Sequence, residues 1–328
     1  VASIRNRLIT ITGDDAGLLD SIKRIAYYLW AINLPKKLFQ KLGLFPTAKA
    51  IAIEQVFTDL GANQPIYSGN AIVSIIIPTK NKFALVKACI DSIIQKSTYT
   101  HYEILVVNNQ STDEAMLDWL AETKKLNPNF LTIDAPIEFN FSRLVNLGVA
   151  HASGEYIILL NNDTEVISPD WIEFLLTYAQ HDKAGVVGCK LLYSNRTIQH
   201  AGIAIFEDGT AGHVHVGLQE HDPLVNSVRN YGAVTAAAML FSKKIFDQVN
   251  GFDEAFKVEF NDLDFCLKVL VSGYHNVYVP NCVLFHHESA SRRHPFSDPK
   301  NHARYSNEQE LFSTKWHDEL KKRVDKSP

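Results

Sequence analysis

Cysteine is scarce in this chain of 328 residues: four, at Cys89, Cys189, Cys266 and Cys282, none at C-x-x-C spacing. That excludes a disulfide framework and a cysteine zinc site, and it fits a reducing compartment. An excess of one charge is missing too, with 32 Lys and Arg against 36 Asp and Glu. A dedicated nucleic-acid binder would carry a basic excess or stripe, so no nucleic-acid partner is expected. Long hydrophobic runs are absent. The stretch AVTAAAMLF at 233–241 falls far short of the ~20 residues a membrane-spanning helix needs. The N-terminus carries no secretory signal pattern, and it begins at Val1 rather than Met, leaving room for an upstream part. The expectation is a cytoplasmic chain of enzyme size.

Hydrophobic residues make up 46% of the chain, enough to bury a sizeable core. Residues 1–70 read as an N-terminal helical appendage and linker. Between Ser21 and Lys49 there are six basic residues and no acidic one, with apolar positions at helical spacing. Such a basic amphipathic pair is either an ordinary solvated appendage or a peripheral contact with the inner face of an anionic plasma membrane. From Ala71 onward, β-branched strands alternate with helices: 71–79, 102–109, 130–135 and 156–163 read as strands, with a helix after each. This pattern predicts an α/β fold with a mostly parallel central sheet flanked by helices. Ligands bind such sheets beyond the carboxyl ends of the strands. Three polar clusters stand there: Thr79-Lys80-Asn81, Asn108–Asp113 and Asn161–Asp163.

Several residues carry chemistry at these positions. Asn161 and Asp163, two apart on an extended strand, would present two oxygens to one hard cation; a plain strand-to-helix turn explains them equally well. Asp262 and Asp264 open an amphipathic helix, where one acid would reach a cleft and the other serve the structure. His286 follows a strand and, with Asp163, would form an oxygen/nitrogen site suited to Mn2+ or Mg2+. His213 and His215 add two imidazoles on one strand face, but no H-E-x-x-H pattern supports a zinc site.

The segments VSIIIPTKNK (73–82), EILVVNNQSTD (103–113), NFSRLVNLGVAHASGEYIILLNNDTEV (140–166), IQHAG (198–202), GFDEAF (251–256), FNDLDFCLKV (260–269) and HHESASR (286–292) together resemble family 2 glycosyltransferases of the bacterial polysaccharide and O-antigen type. The resemblance spans about 71–317, leaving 318–328 as a tail. It implies a GT-A fold and inverting transfer of a sugar from a nucleoside-diphosphate sugar donor to a glycan or lipid-linked acceptor, with a divalent metal. It also assigns places. Pro78, Thr79 and Lys80 line the nucleotide pocket with Asn108 and Ser111, and Asn108 stands where relatives carry an Asp that contacts the base. Arg143 and Asn146 lie near the diphosphate and sugar. Asn161, Asn162 and Asp163 occupy the D-x-D place, with Asp163 and His286 toward the metal. Asp262 matches the catalytic base, with Glu288 as rival.

Two other readings stay open. A sugar nucleotidyltransferase would want a Gly-rich phosphate loop after the first strand, where this chain has PTKNK without glycine. A weak or inactive nucleotide-sugar or glycan-binding module of a larger synthase would fit the charges lost at Asn108 and Asn161.

Overall fold

The computed structural model describes residues 48–58, 64–287 and 299–325. The apolar runs VSIIIPT and YEILVVN form β1 (Val73–Thr79) and β2 (Tyr102–Asn108), joined by α1 (Phe83–Lys96). Next come α2 (Glu114–Leu126), β3 (Phe130–Asp134), α3 (Phe141–His151) and β4 (Tyr156–Leu160). The starts of α2 and α3 carry side-chain caps that satisfy otherwise unpaired N–H groups. Asp113 accepts from the Met116 N–H at 3.2 Å, and Asn140 from the Arg143 N–H at 3.0 Å.

The second half runs β5 (Thr164–Val166), α4 (Trp171–Ala179), β6 (Ala184–Leu192), β7 (Ile198–His200), β8 (Ile203–Ile205), β9 (Ala211–His213) and β10 (Arg229–Tyr231). It ends with β11 (Ala238–Ser242), α5 (Lys243–Gln248), α6 (Asn261–Val271), β12 (His275–His286) and α7 (Pro299–Asp325).

One ten-stranded sheet has the order β10-β12-β6-β11-β4-β1-β2-β3, with β5 paired to β12 and β7 to β6. Strands β3, β2, β1, β4, β6 and β12 run the same way, and β11 runs against its neighbours β4 and β6. Alternation along each strand divides the core into two layers. Ile76, Leu105 and Val107 face one layer with α3, α5, α6 and α7, while Ile75, Ile77 and Val106 face the other with α1, α2 and α4. Gly148 lets α3 sit close: a Cβ there would stand 2.5 Å from Ile76 Cγ2.

Two boundaries differ from the sequence reading. α7 runs unbroken through 317/318, and Leu320 and Val324 lie in the core, so 318–325 continue the helix and are no tail. An apolar stripe continues past the last motif, which is why the helix does too. Residues 48–58 belong to the body as well. Ile51 and Phe57 are buried, and the Ile51 N–H donates to Ile205 O at 2.9 Å. The basic helices expected within 21–49 lie outside the described residues, apart from Ala48 and Lys49.

Candidate active site

Parallel pairing brings the strand ends into one row. Thr79 lies opposite Asn108, and Asn108 opposite Asp134. The Ser111 N–H donates to Asn108 Oδ1 at 3.1 Å, and Asn108 Nδ2 donates to Asp134 Oδ1 at 3.2 Å. Ser111 Oγ accepts from the Asn81 N–H at 2.8 Å, and Asn162 Nδ2 donates to Thr79 Oγ1 at 2.8 Å. Asn81, Ser111, Asn108 and Asp134 thus form one hydrogen-bonded chain, and Thr79, which holds Asn162, stands beside Asn108 in the ladder, so the six share one rim. Pro78 is half-buried beside them and Lys80 is exposed. The carboxylate of Asp134 escapes sequence reading, because a lone Asp at the end of a short strand has no motif to mark it.

The Asn161–Asp163 segment is a turn rather than an extended strand, since β4 ends at Leu160. The simple two-apart geometry therefore does not apply, yet the two side chains still converge. His286 at the end of β12 meets both: Nε2 lies 3.2 Å from Asp163 Oδ1 and 3.3 Å from Asn161 Nδ2. The antiparallel pairing of β5 with β12 sets His286 opposite Thr164, and the His287 N–H donates to Asp163 O at 2.9 Å. Gln199 holds the imidazole from behind, with Oε1 2.6 Å from His286 Nδ1.

A carboxylate oxygen and an imidazole nitrogen are suited to Mn2+ or Mg2+. Adjacent ligands of an octahedral Mg2+ stand about 3 Å apart, close to the 3.2 Å seen here. The pair therefore fits a shared ion. Among the described residues no group of three or more His, Cys, Asp and Glu side chains comes together.

This also answers the zinc reading. His213 meets His200, Nδ1 to Nδ1 at 2.9 Å, while His215 lies beyond that contact in a left-handed backbone conformation. His200 is fully buried, and burial first, then the nearby His213 and His286, holds its pKa well below the ordinary imidazole range.

Asp262 sits in the first turn of α6, half-buried. Its Oδ2 accepts from the Ala236 N–H at 3.3 Å, while the next residue, Ala237, accepts at its carbonyl from the Asn161 N–H at 2.9 Å. The acid and the Asn161–Asp163 turn therefore flank one strand entry. Asp264 points the other way, as the helical spacing requires. It is fully buried, accepting from Trp316 Nε1 at 2.9 Å and pairing with Lys315 at 2.7 Å. Burial lowers the affinity of Lys315 for its proton, but Asp253 and Asp264 outweigh this and raise its pKa. Glu308, also on α7, accepts from the Glu259 N–H at 2.7 Å and braces the turn before α6. Glu288 falls outside the described residues.

Arg143 and Asn146 both face the loop 251–256. The exposed Arg143 approaches Glu254 at 4.0 Å. The Asn146 amide is occupied: Nδ2 donates to Phe252 O and Oδ1 accepts from the Phe252 N–H, each at 2.9 Å. Gly251, at φ +56, leaves room for this contact. The resemblance sets Asn146 in a segment near the diphosphate and sugar, and its amide braces the loop that follows Gly251.

A family model described as glycosyl transferase family 2 matches residues 74–246. The O-antigen biosynthesis protein RfbC of Myxococcus xanthus is 37% identical over 233 residues, 69% of this chain and 18% of its own. An uncharacterized protein of Sinorhizobium fredii, y4gI, is 39% identical over 253 residues, 76% of this chain and 28% of its own. The chain thus spans less than a third of the length of these curated relatives. Among solved structures, GalNAc-T7 with UDP, GalNAc and Mn2+ aligns at TM-score 0.59 and 15% identity, over 74% of this chain and 48% of that one. The mannosyltransferase PcManGT from Pyrobaculum calidifontis, in complex with GDP-Man and Mn2+, aligns at 0.52 and 15%, over 83% and 70%. At that identity the likeness is one of fold, the GT-A fold.

Proposed function

This chain belongs to glycosyl transferase family 2, and we propose that it transfers a sugar from a nucleoside-diphosphate sugar to a glycan or lipid-linked acceptor in cell-surface polysaccharide synthesis. Support comes from one convergence: Asp163 and His286 meet at the carboxyl edge of the parallel strands, and Asp262 is tethered to the same strand entry. Asp163 and His286 would hold a divalent cation. When bound, Mn2+ or Mg2+ supplies Lewis-acid stabilisation of the charge that develops on the leaving diphosphate.

The remaining work falls to side chains of this chain. Pro78, Thr79, Lys80, Asn108 and Ser111 line the nucleoside end, Asn161 and Asn162 shape the turn beneath the diphosphate, and Arg143 supplies a cation beside it. Asn146 holds the loop 251–256 in place. An acceptor hydroxyl is a weak nucleophile at neutral pH, and Asp262 takes its proton as attack proceeds. A single displacement from the face opposite the diphosphate inverts the anomeric centre.

A thermal-shift panel of UDP, GDP and dTDP sugars with Mn2+, followed by a transfer assay, tests this reading. One donor should raise the melting temperature, because a ligand bound only to the folded state stabilises it. The same donor should then be consumed. Donor binding without transfer or hydrolysis would favour the non-catalytic module, and no binding by any donor would overturn the proposal.

A further inference from the structure

We propose that Gln199 is a positioning residue that fixes which nitrogen of His286 carries its proton, and so turns Nε2 toward the cation. The inference rests on reading Asp163 and His286 as the metal-holding pair. Gln199 lies on β7 and is 4% exposed. Its carboxamide bonds twice to one residue: Nε2 donates to His286 O at 3.2 Å, and Oε1 stands 2.6 Å from His286 Nδ1.

These two contacts determine the hydrogens between them. A backbone carbonyl only accepts, so the NH2 end of Gln199 must face His286 O. Oε1 is thereby turned to the ring, and it too only accepts. Nδ1 must then carry the hydrogen, and in a neutral imidazole Nε2 is left with its lone pair. The surroundings of Nε2 agree, since Asn161 Nδ2, a donor, lies 3.3 Å away.

On the far side stands Asp163 Oδ1 at 3.2 Å. With Nδ1 protonated, two lone pairs face each other across this gap, an arrangement that a cation relieves. Without Gln199 the Asp163 carboxylate would draw the hydrogen to Nε2, and an incoming ion would have to displace it. Partners behind a metal-binding histidine act in this way, and their loss typically weakens metal binding ~10–100-fold.

Two-bond 1H–15N correlation spectra of 15N-histidine-labelled protein read the tautomer directly. The His286 signal is assigned by its loss in His286→Gln, without metal, at about pH 8.5, above the ordinary imidazole range. The wild-type ring should be in the Nδ1–H form. In Gln199→Met, of similar length but without hydrogen-bonding groups, it should move to Nε2–H. Mn2+ titrated against protein saturated with whichever of UDP, GDP or dTDP it binds should then bind ~10–100-fold more weakly in the variant. An Nε2–H ring in the wild-type protein overturns the proposal, even if the variant fails to fold. So does an unchanged ring, or unchanged Mn2+ affinity, in Gln199→Met. The tautomer is read without any donor, so failure of the proposed function would show separately as absence of nucleotide-sugar binding.

Discussion

Asp264 and Trp316, 52 positions apart in the chain, meet in the core, the indole Nε1–H donating to the carboxylate at 2.9 Å. The carboxylate is fully buried, and two cations also face it, Lys315 at 2.7 Å and Lys268 at 4.0 Å. Replacing Trp316 by Phe keeps an aromatic ring but removes the donor. Leaving a buried charged acceptor short of a partner costs about 1–3 kcal/mol or more. The denaturant midpoint of Trp316→Phe should fall accordingly, and an unchanged midpoint would show that Lys315 and Lys268 satisfy Asp264 without the indole.

Asp262→Asn should slow sugar transfer ~10²–10⁴-fold, the usual loss on removing a general base. Donor affinity should hardly change. Near wild-type transfer by this variant would move the role elsewhere, with Glu288→Gln the next to assay.

Asp134 is expected to take over the charge that position 108 lacks. Asn108 accepts from Ser111 and donates to Asp134, whose carboxylate is exposed on the rim. Hydrogen bonds to charged groups are worth ~1.5–3 kcal/mol, so Asp134→Asn should weaken nucleotide binding ~10-fold or more. Calorimetry with the free nucleoside diphosphate measures this, and unchanged affinity would place Asp134 outside the nucleoside site.

Metal affinity should depend on the nucleotide. Hard cations gain affinity with the number of charged ligands, and only Asp163 among the proposed protein ligands is an acid. Calorimetry should find weak Mn2+ binding to free protein and tighter binding once a nucleoside diphosphate is present. Tight binding to the free protein would require ligands beyond Asp163 and His286.

Lys190, buried on β6, donates to Glu220 O at 3.0 Å. Burial lowers its pKa from 10.5 to about 8, against the pull of Glu220. Below about 8 both folded and unfolded chains hold the proton, and the full cost of burying the charge remains. Between about 8 and 10.5 the unfolded chain holds more of it, so this group adds stability as pH rises. Denaturant midpoints of wild type and Lys190→Met should show the wild type gaining on the variant across that window. A pH-independent difference would contradict a lowered pKa.

The strand-end clusters were legible in the sequence because apolar runs stop abruptly at polar residues, and pairing in register then aligns those stops. Asp163 and His286 were legible for the same reason, although a turn rather than an extended strand carries Asp163. The division of labour between Asp262 and Asp264 followed from helical spacing. Gln199 was not legible as a partner of His286: the two are 87 positions apart, and only the pairing of β7 and β12 with β6 joins them. The bracing role of Asn146 was not legible either, because an amide near a site has the same sequence signature whether it binds a ligand or braces a loop.

The helix that carries Asp262 is held by Glu308, Lys315 and Trp316, all from α7. Proteins leave the ribosome N-terminus first. The strand ends of β1 to β4 emerge while much of the chain is still being made, so the rim that they form can assemble early. The support beneath Asp262 cannot, because its last tie is residue 316. In a nascent chain the strand-end rim would thus be complete before the helix that carries Asp262 gained its support from α7.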